Sequence, residues 1–193
     1  MKKQSELSRL MEYAGNYRFL TYLSWILSAV SALLALVPFW YLWRIIHDIL
    51  AVAPDYGKAE NVISYGWNAV IFAIVSVLIY IAGLMCSHLS AFRIAANIRK
   101  TLMRHIAALP LGTVEKFGSG KLRRVVNTTS AATETYLAHQ LPDMSAAITT
   151  PVCMVVMLFL FDWRFGLVSL VPFVLGFASM FKMTGPGMAK DMK

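Results

Sequence analysis

Hydrophobic positions in this chain gather into four uncharged stretches, 19–43, 61–92, 144–161 and 165–181, of 25, 32, 18 and 17 residues. A helix crossing about 30 Å of hydrocarbon needs about 20 apolar residues, with about 17 as a lower bound, so each stretch predicts one membrane span. The first holds twelve Leu, Ile, Val or Phe. At roughly 0.3–0.6 kcal/mol apiece these favour insertion by about 4–7 kcal/mol, more than one central charge would oppose.

Between the second and third stretches the pattern turns periodic. Ile94, Ile98, Leu102, Ile106 and Leu109 recur on one helical face, and no proline falls between Pro54 and Pro110. The second span is therefore predicted to continue as a single helix from Asn61 to Leu109, about 70 Å long and more than twice the hydrocarbon thickness. On the return side Leu122, Val125, Val126, Thr129 and Tyr136 form a similar stripe, with Arg123, Arg124 and Asn127 off it. The two extensions make a hairpin over 93–140 whose tip is 110–121. Gly112, Gly118 and Gly120 leave room in that tip for a short helix around Thr113 to Phe117, with Thr113 as its N-cap and Val114 and Phe117 projecting. Such a knob either fits a groove on a partner domain or packs back on its own hairpin, and spacing alone leaves both open. Near the start, Leu7, Leu10, Met11 and Ala14 recur at helical spacing with Arg9 and Glu12 elsewhere. This predicts an interfacial elbow helix within 1–17, ahead of a membrane domain at 18–193.

Composition agrees with the bilayer as solvent. Hydrophobic residues make up 58% of the 193, mean hydropathy is +0.60, and only 15% are charged, against about a quarter in soluble domains. The fold class is an all-α membrane protein, a polytopic helical bundle with long cytoplasmic helix extensions. The first apolar stretch is too long for a cleaved secretory signal and is read as a retained span.

Charge sets the orientation. From Arg93 to Arg124 there are eight Lys or Arg against one acid, Glu115. Lys2, Lys3, Arg9 and Arg18 precede the first span, and Lys182, Lys190 and Lys193 follow the fourth. The positive-inside rule places all three regions, with the N-terminus, in the cytoplasm. The segment with Asp48, Asp55 and Glu60, and the turn Asp162-Trp163-Arg164, then lie outside. A net charge of +8 is accounted for by this topology and by anionic inner-leaflet lipid, without a nucleic-acid partner. Trp25, Tyr41, Trp43, Trp67 and Trp163 mostly fall near span ends, as interfacial anchors do. Cys86 and Cys153 sit in apolar runs as small hydrophobes, and their spacing points to neither metal nor disulfide.

Several residues carry a family likeness: Arg93 and Arg99 in the descending helix, Leu109-Pro110, Phe117, Gly120-Lys121-Leu122, and Asp162-Trp163-Arg164 before the last span. With the elbow and the long helix, the chain resembles the exporter-type transmembrane domain of ATP-binding-cassette (ABC) transporters over essentially all its length. The resemblance implies that Thr113, Val114, Glu115, Lys116 and Phe117 form the first coupling helix, which docks on an ABC ATPase domain. It also implies a second transmembrane half, as a homo- or heterodimer, a translocation path for a transported substrate, and a place in the bacterial inner (plasma) membrane. The family's membrane domain has six helices followed by an ATPase, so this chain is expected to be a truncated form holding the first four. ATP and Mg would belong to the full-length protein. The family often has an Asn-Asp pair shortly after its Gly-x-Leu, whereas this chain reads Asn127-Thr128-Thr129 and lacks the acid. The run Ala138-His139-Gln140-Leu141-Pro142-Asp143 resembles a bacterial subgroup, some of whose members are similar to siderophore-linked importers.

No catalytic residue, metal site or cofactor is expected in this chain. Gly118-Ser119-Gly120-Lys121 resembles a phosphate-binding loop, but that loop requires glycine where Glu115 stands and Ser or Thr where Leu122 stands. Glu134, His139 and Asp143 cluster where the third span enters the bilayer, with His139 and Asp143 spaced i, i+4 and so able to pair. They either line a cytoplasm-facing cavity or cap and join helices. His88 and His47 read as lone structural histidines. Pro38 and Pro151 permit kinks, the second with the better claim to a role in alternating access. The alternative to a transporter domain is a stand-alone four-helix membrane channel or assembly protein whose basic hairpin binds lipid or an acidic partner.

A stiff hairpin predicts ordered helix at residues 95 to 135 in a native-like nanodisc. Spin-label or exchange spectroscopy showing that segment unstructured would overturn the reading.

Overall fold

A computed structural model describes residues 6–184, and every regular element among them is helical. Lys2, Lys3, Lys190 and Lys193, which contribute to the predicted orientation, lie outside the described residues, as does the side chain of Lys182. Helix α1 (Glu6–Ala14) runs through a 3₁₀ turn into α2 (Arg18–Ala51), followed by α3 (Val62–Ala107), α4 (Leu111–Phe117) and α5 (Ser119–Thr135). A π-helical turn at Tyr136–Gln140 joins α5 to α6 (Leu141–Phe161), and α7 (Trp163–Thr184) ends the described chain. Four helical stretches are long and apolar enough to cross a membrane: Leu10–Ala51, Val62–Ala107, Ser119–Phe161 and Trp163–Met180. The chain divides into two compact units, one up to Thr149 and one from Thr150.

In the first unit, α2 and α3 pack antiparallel along a seam of small residues. Thr21, Ser24, Ser28, Ser31 and Ala32 are buried on α2, and Ser76, Gly83, Ser87 and Ser90 on α3. Large apolar side chains such as Ile26, Leu33, Ile74 and Leu78 are exposed instead. Water would reverse this arrangement, but lipid is as apolar as Leu, so helices associate in it through close backbone approach at small residues. At Gly83 the approach is close, since a Cβ there would stand 3.2 Å from Leu27 Cβ. Several of the serine hydroxyls donate within their own helices: Ser24 to Thr21 O at 2.7 Å, Ser31 to Ser28 O at 3.0 Å, Ser76 to Ala73 O at 2.8 Å and Ser90 to Ser87 O at 2.9 Å.

The apolar core lies at one end of this seam, where Met11, Ala14, Ala91, Ile94, Ile98, Leu137, Ala138 and Leu141 are buried together. The apolar stripe of α1 packs on this core against α3 and the π turn, and Asn97 Nδ2 donates to Tyr13 O at 3.1 Å to hold it there. Trp25 packs against the same core. On α5 the inward positions are Val126 and Ser130, continued by Leu137, while Val125 and Thr129 are exposed. The inward line is thus an i, i+4 row starting at Leu122, one residue off the predicted stripe at its middle.

In the second unit, Asp162 alone separates α6 from α7. Its Oδ1 accepts from the Arg164 backbone N at 2.8 Å, which caps α7. Gly166 lies against Phe159, where any Cβ would run into the ring.

Replacing Gly83 with Ile is expected to force α2 and α3 apart at a cost of about 1–3 kcal/mol, whereas Gly83→Ala costs much less. Thermal denaturation in one detergent would check this, and equal melting of the two variants would contradict the seam.

Candidate functional site

Two places concentrate polar chemistry on this scaffold: the tip of the α3–α5 hairpin and the π turn at its root.

The tip is built by a proline and a glycine. Pro110 takes an extended backbone (φ −57°, ψ 140°) that stops α3 and lets its carbonyl open α4, accepting from Thr113 N at 2.9 Å and Val114 N at 3.3 Å. The N-cap is therefore Pro110 and not Thr113, which sits inside the helix, two residues after its start. Gly118 closes α4 at φ +77°, a conformation that only glycine adopts without strain, and α5 begins at the next residue. Only Gly118 separates the two helices, so Ser119, Gly120 and Lys121 form the first turn of α5.

The seven residues of α4 have two faces. Val114, expected to project, turns inward and lines a cleft of about 510 Å³ with Met103, Ile106, Leu122 and Val126, rimmed by Arg99 and Arg123. Outward stand Phe117, 51% exposed, and Leu111, 73% exposed. Leu111 was missed because the tip helix was expected to begin at Thr113. Glu115 and Lys116 are exposed, Thr113 is half-buried, and Lys121 Nζ lies 5.9 Å from the centre of the Phe117 ring. Arg99, Lys100, Arg104, Lys116, Lys121, Arg123 and Arg124 make no ion pair among the described residues, where the pairs are Lys58–Asp55 and His47–Asp48. The tip thus presents an apolar pair within a field of uncompensated positive charge.

The π turn has a local cause. In an α-helix the Ala138 carbonyl would accept from the N–H of residue 142, but residue 142 is proline, which has no N–H and whose ring would collide with that carbonyl. The chain widens by one residue, so that Leu141 N donates to Tyr136 O, five residues back. The Ala138 carbonyl is satisfied from across the bundle, by the buried Ser87 Oγ at 3.0 Å. A second tie, from Ser145 Oγ to Trp25 O at 3.0 Å, joins the start of α6 to α2.

Of the residues predicted to cluster here, Glu134 is half-buried near the end of α5, His139 is exposed within the π turn, and Asp143 is exposed in the first turn of α6. His139 and Asp143 form no ion pair among the described residues. The wide turn explains it, because spacing i, i+4 faces one direction only where 3.6 residues make a turn. His139 meets His88 instead, with ring centroids 4.9 Å apart and planes at 80°. His88 is therefore not alone, as the sequence suggests. Ser87 and Ala138, bonded to each other, immediately precede the two histidines and set them side by side. Pro142 was the signal that could have found this joint. Among the described residues no group of three or more His, Cys, Asp or Glu is placed to hold a metal ion.

Comparison with known proteins agrees with this architecture. The family model for the ABC transporter transmembrane region matches residues 21–186. The chain is similar to the Mycobactin import ATP-binding/permease protein IrtA of Mycolicibacterium smegmatis, 29% identical over 174 residues, covering 89% of this chain and 20% of the relative. The protein of the same name from Mycobacterium tuberculosis is 31% identical over 150 residues, covering 78% of this chain and 17% of that relative. The one from Mycolicibacterium thermoresistibile is 30% identical over 161 residues, covering 83% and 17%. The chain thus spans about a fifth of the length of the curated relatives it matches. With the family match extending over most of the four apolar helical stretches, the chain is an integral membrane protein of the ABC transporter transmembrane family.

Proposed function

We propose that this chain forms part of the substrate path of an ATP-driven transporter and that α4 is the coupling helix through which an ABC ATPase domain moves it. One observation carries the reading: Leu111 and Phe117 are held exposed at the far end of a helix of 46 residues. An apolar pair on a short helix suits a groove in a partner domain, and a long uninterrupted helix suits the transmission of force. Thr113, Glu115 and Lys116 supply the polar rim of that contact, and Val114 locks α4 onto its own hairpin. Both alternatives left open by the sequence are thereby used, by different residues of one helix.

The orientation follows from charge: the basic hairpin and the N-terminus face the cytoplasm, in a bacterial inner membrane. A second transmembrane half completes the path, and nucleotide and Mg belong to the ATPase domain. The relatives' names specify mycobactin import, and residues 138–143 resemble siderophore-linked importers. On that support we assign a cargo of the siderophore class, moved inward. Glu134, His139 and Asp143 lie at the mouth of the path.

In the complete protein, Phe117→Asp is expected to abolish substrate-stimulated ATP hydrolysis, and Leu111→Asp to reduce it about tenfold or more, each burying a charge in an apolar contact. Membrane insertion should be unchanged in both. ATPase assays in proteoliposomes, with and without a mycobactin-type substrate, decide it, and full stimulation in Phe117→Asp would rule out the coupling role.

A further inference from the structure

His88 and His139 come from different helices and meet at a joint that is fixed on both sides. Neither ring nitrogen of either residue has a hydrogen-bond partner among the described residues, and their ring–ring contacts are with each other and, for His88, with Phe92 at 6.0 Å. His139 is exposed and His88 half-buried, so the pair is open to an ion from one side. Unpaired imidazole nitrogens side by side are ligands for borderline transition metals, since neutral imidazole is the commonest metal-binding side chain.

We propose that His88 and His139 form a two-imidazole binding site for a divalent transition-metal ion such as Zn²⁺ or Cu²⁺. Two imidazoles bonded to one ion at about 2.1 Å, near the tetrahedral angle, hold their centroids about 5 Å apart. The observed separation is 4.9 Å. Each ring can turn about Cβ–Cγ, a soft torsion in histidine, to direct a nitrogen toward an ion between them. The Ser87–Ala138 hydrogen bond, made by the residues immediately before the two histidines, holds the two helices together at this point. With two protein ligands, the remaining coordination positions stay open to water or to donor atoms of a bound chelate. An ion seated here ties α3 to the π turn at the root of the hairpin. The site rests on this geometry and stands independently of the coupling reading.

The test uses the complete protein in nanodiscs, titrated with Cu²⁺ and followed by electron paramagnetic resonance with nitrogen hyperfine resolution. Expected is one ion bound per chain with two imidazole nitrogens, displaced by Zn²⁺. Relative to wild type, His88→Ala and His139→Ala each weaken that site on the order of 10–100-fold and reduce the count to one nitrogen. The exposed His47 and His105 serve as the control, and His47→Ala/His105→Ala should keep the two-nitrogen signal. His139 is exposed, so its replacement leaves the fold intact, and circular dichroism of each variant confirms that separately. Unchanged affinity and nitrogen count in His139→Ala, or loss of the signal in the His47/His105 control, would overturn the proposal.

Discussion

A single hydroxyl holds the joint on which this molecule turns. Pro142 deprives the Ala138 carbonyl of its donor, and within an apolar environment an unpaired carbonyl costs several kcal/mol. Ser87 removes that cost at 3.0 Å, and in doing so fixes the return limb of the hairpin against α3. The burial of Leu137, the approach of His139 to His88 and the position of Glu134 and Asp143 all follow from that one contact. A helix defect and its remedy thus come from two segments 51 residues apart in sequence.

The rest of the first unit follows a second rule of the same environment. Because lipid competes equally for large apolar side chains, they point outward, and the space between α2 and α3 is filled by serine, threonine, alanine and glycine. Where the helices run past the apolar stretches, the rule returns to that of water-soluble proteins. Ile94 and Ile98 are buried, arginines and lysines are exposed, and α1 lends its apolar stripe to the same core. The change from one regime to the other occurs along a single unbroken helix, α3.

Much of this was legible in the sequence. Uncharged runs reveal helices that cross lipid, and the absence of proline from 55 to 109 reveals that α3 does not break. Charge and turn residues mark the hairpin and its tip. The finer geometry was not legible, for physical reasons. The inward line of α5 is decided by what α3 offers it, so Ser130 is buried beside Val126 while the hydrophobic Val125 is left outside. Val114 and Leu111 exchange roles because Pro110, through its carbonyl, starts α4 earlier than a threonine cap would. The histidine pair depends on a helical phase change that no period of 3.6 contains, and only the missing N–H of Pro142 hints at it.

The length of α3 has a mechanical corollary. A rod of 46 residues measures about 70 Å, and the core at Ala91–Ile98 stands about 14–24 Å from its end at Ala107 and about 44–54 Å from its start at Val62, so a tilt of about 5° there moves the tip end by about 1–2 Å and the other end by about 4–5 Å. Tilts too small to disturb the packing of Ile94 or Ala91 therefore reach Leu111 and Phe117 with little amplification, and the opposite end of α3 with more. The helix is a lever of unequal arms, with the short, stiff arm at the tip.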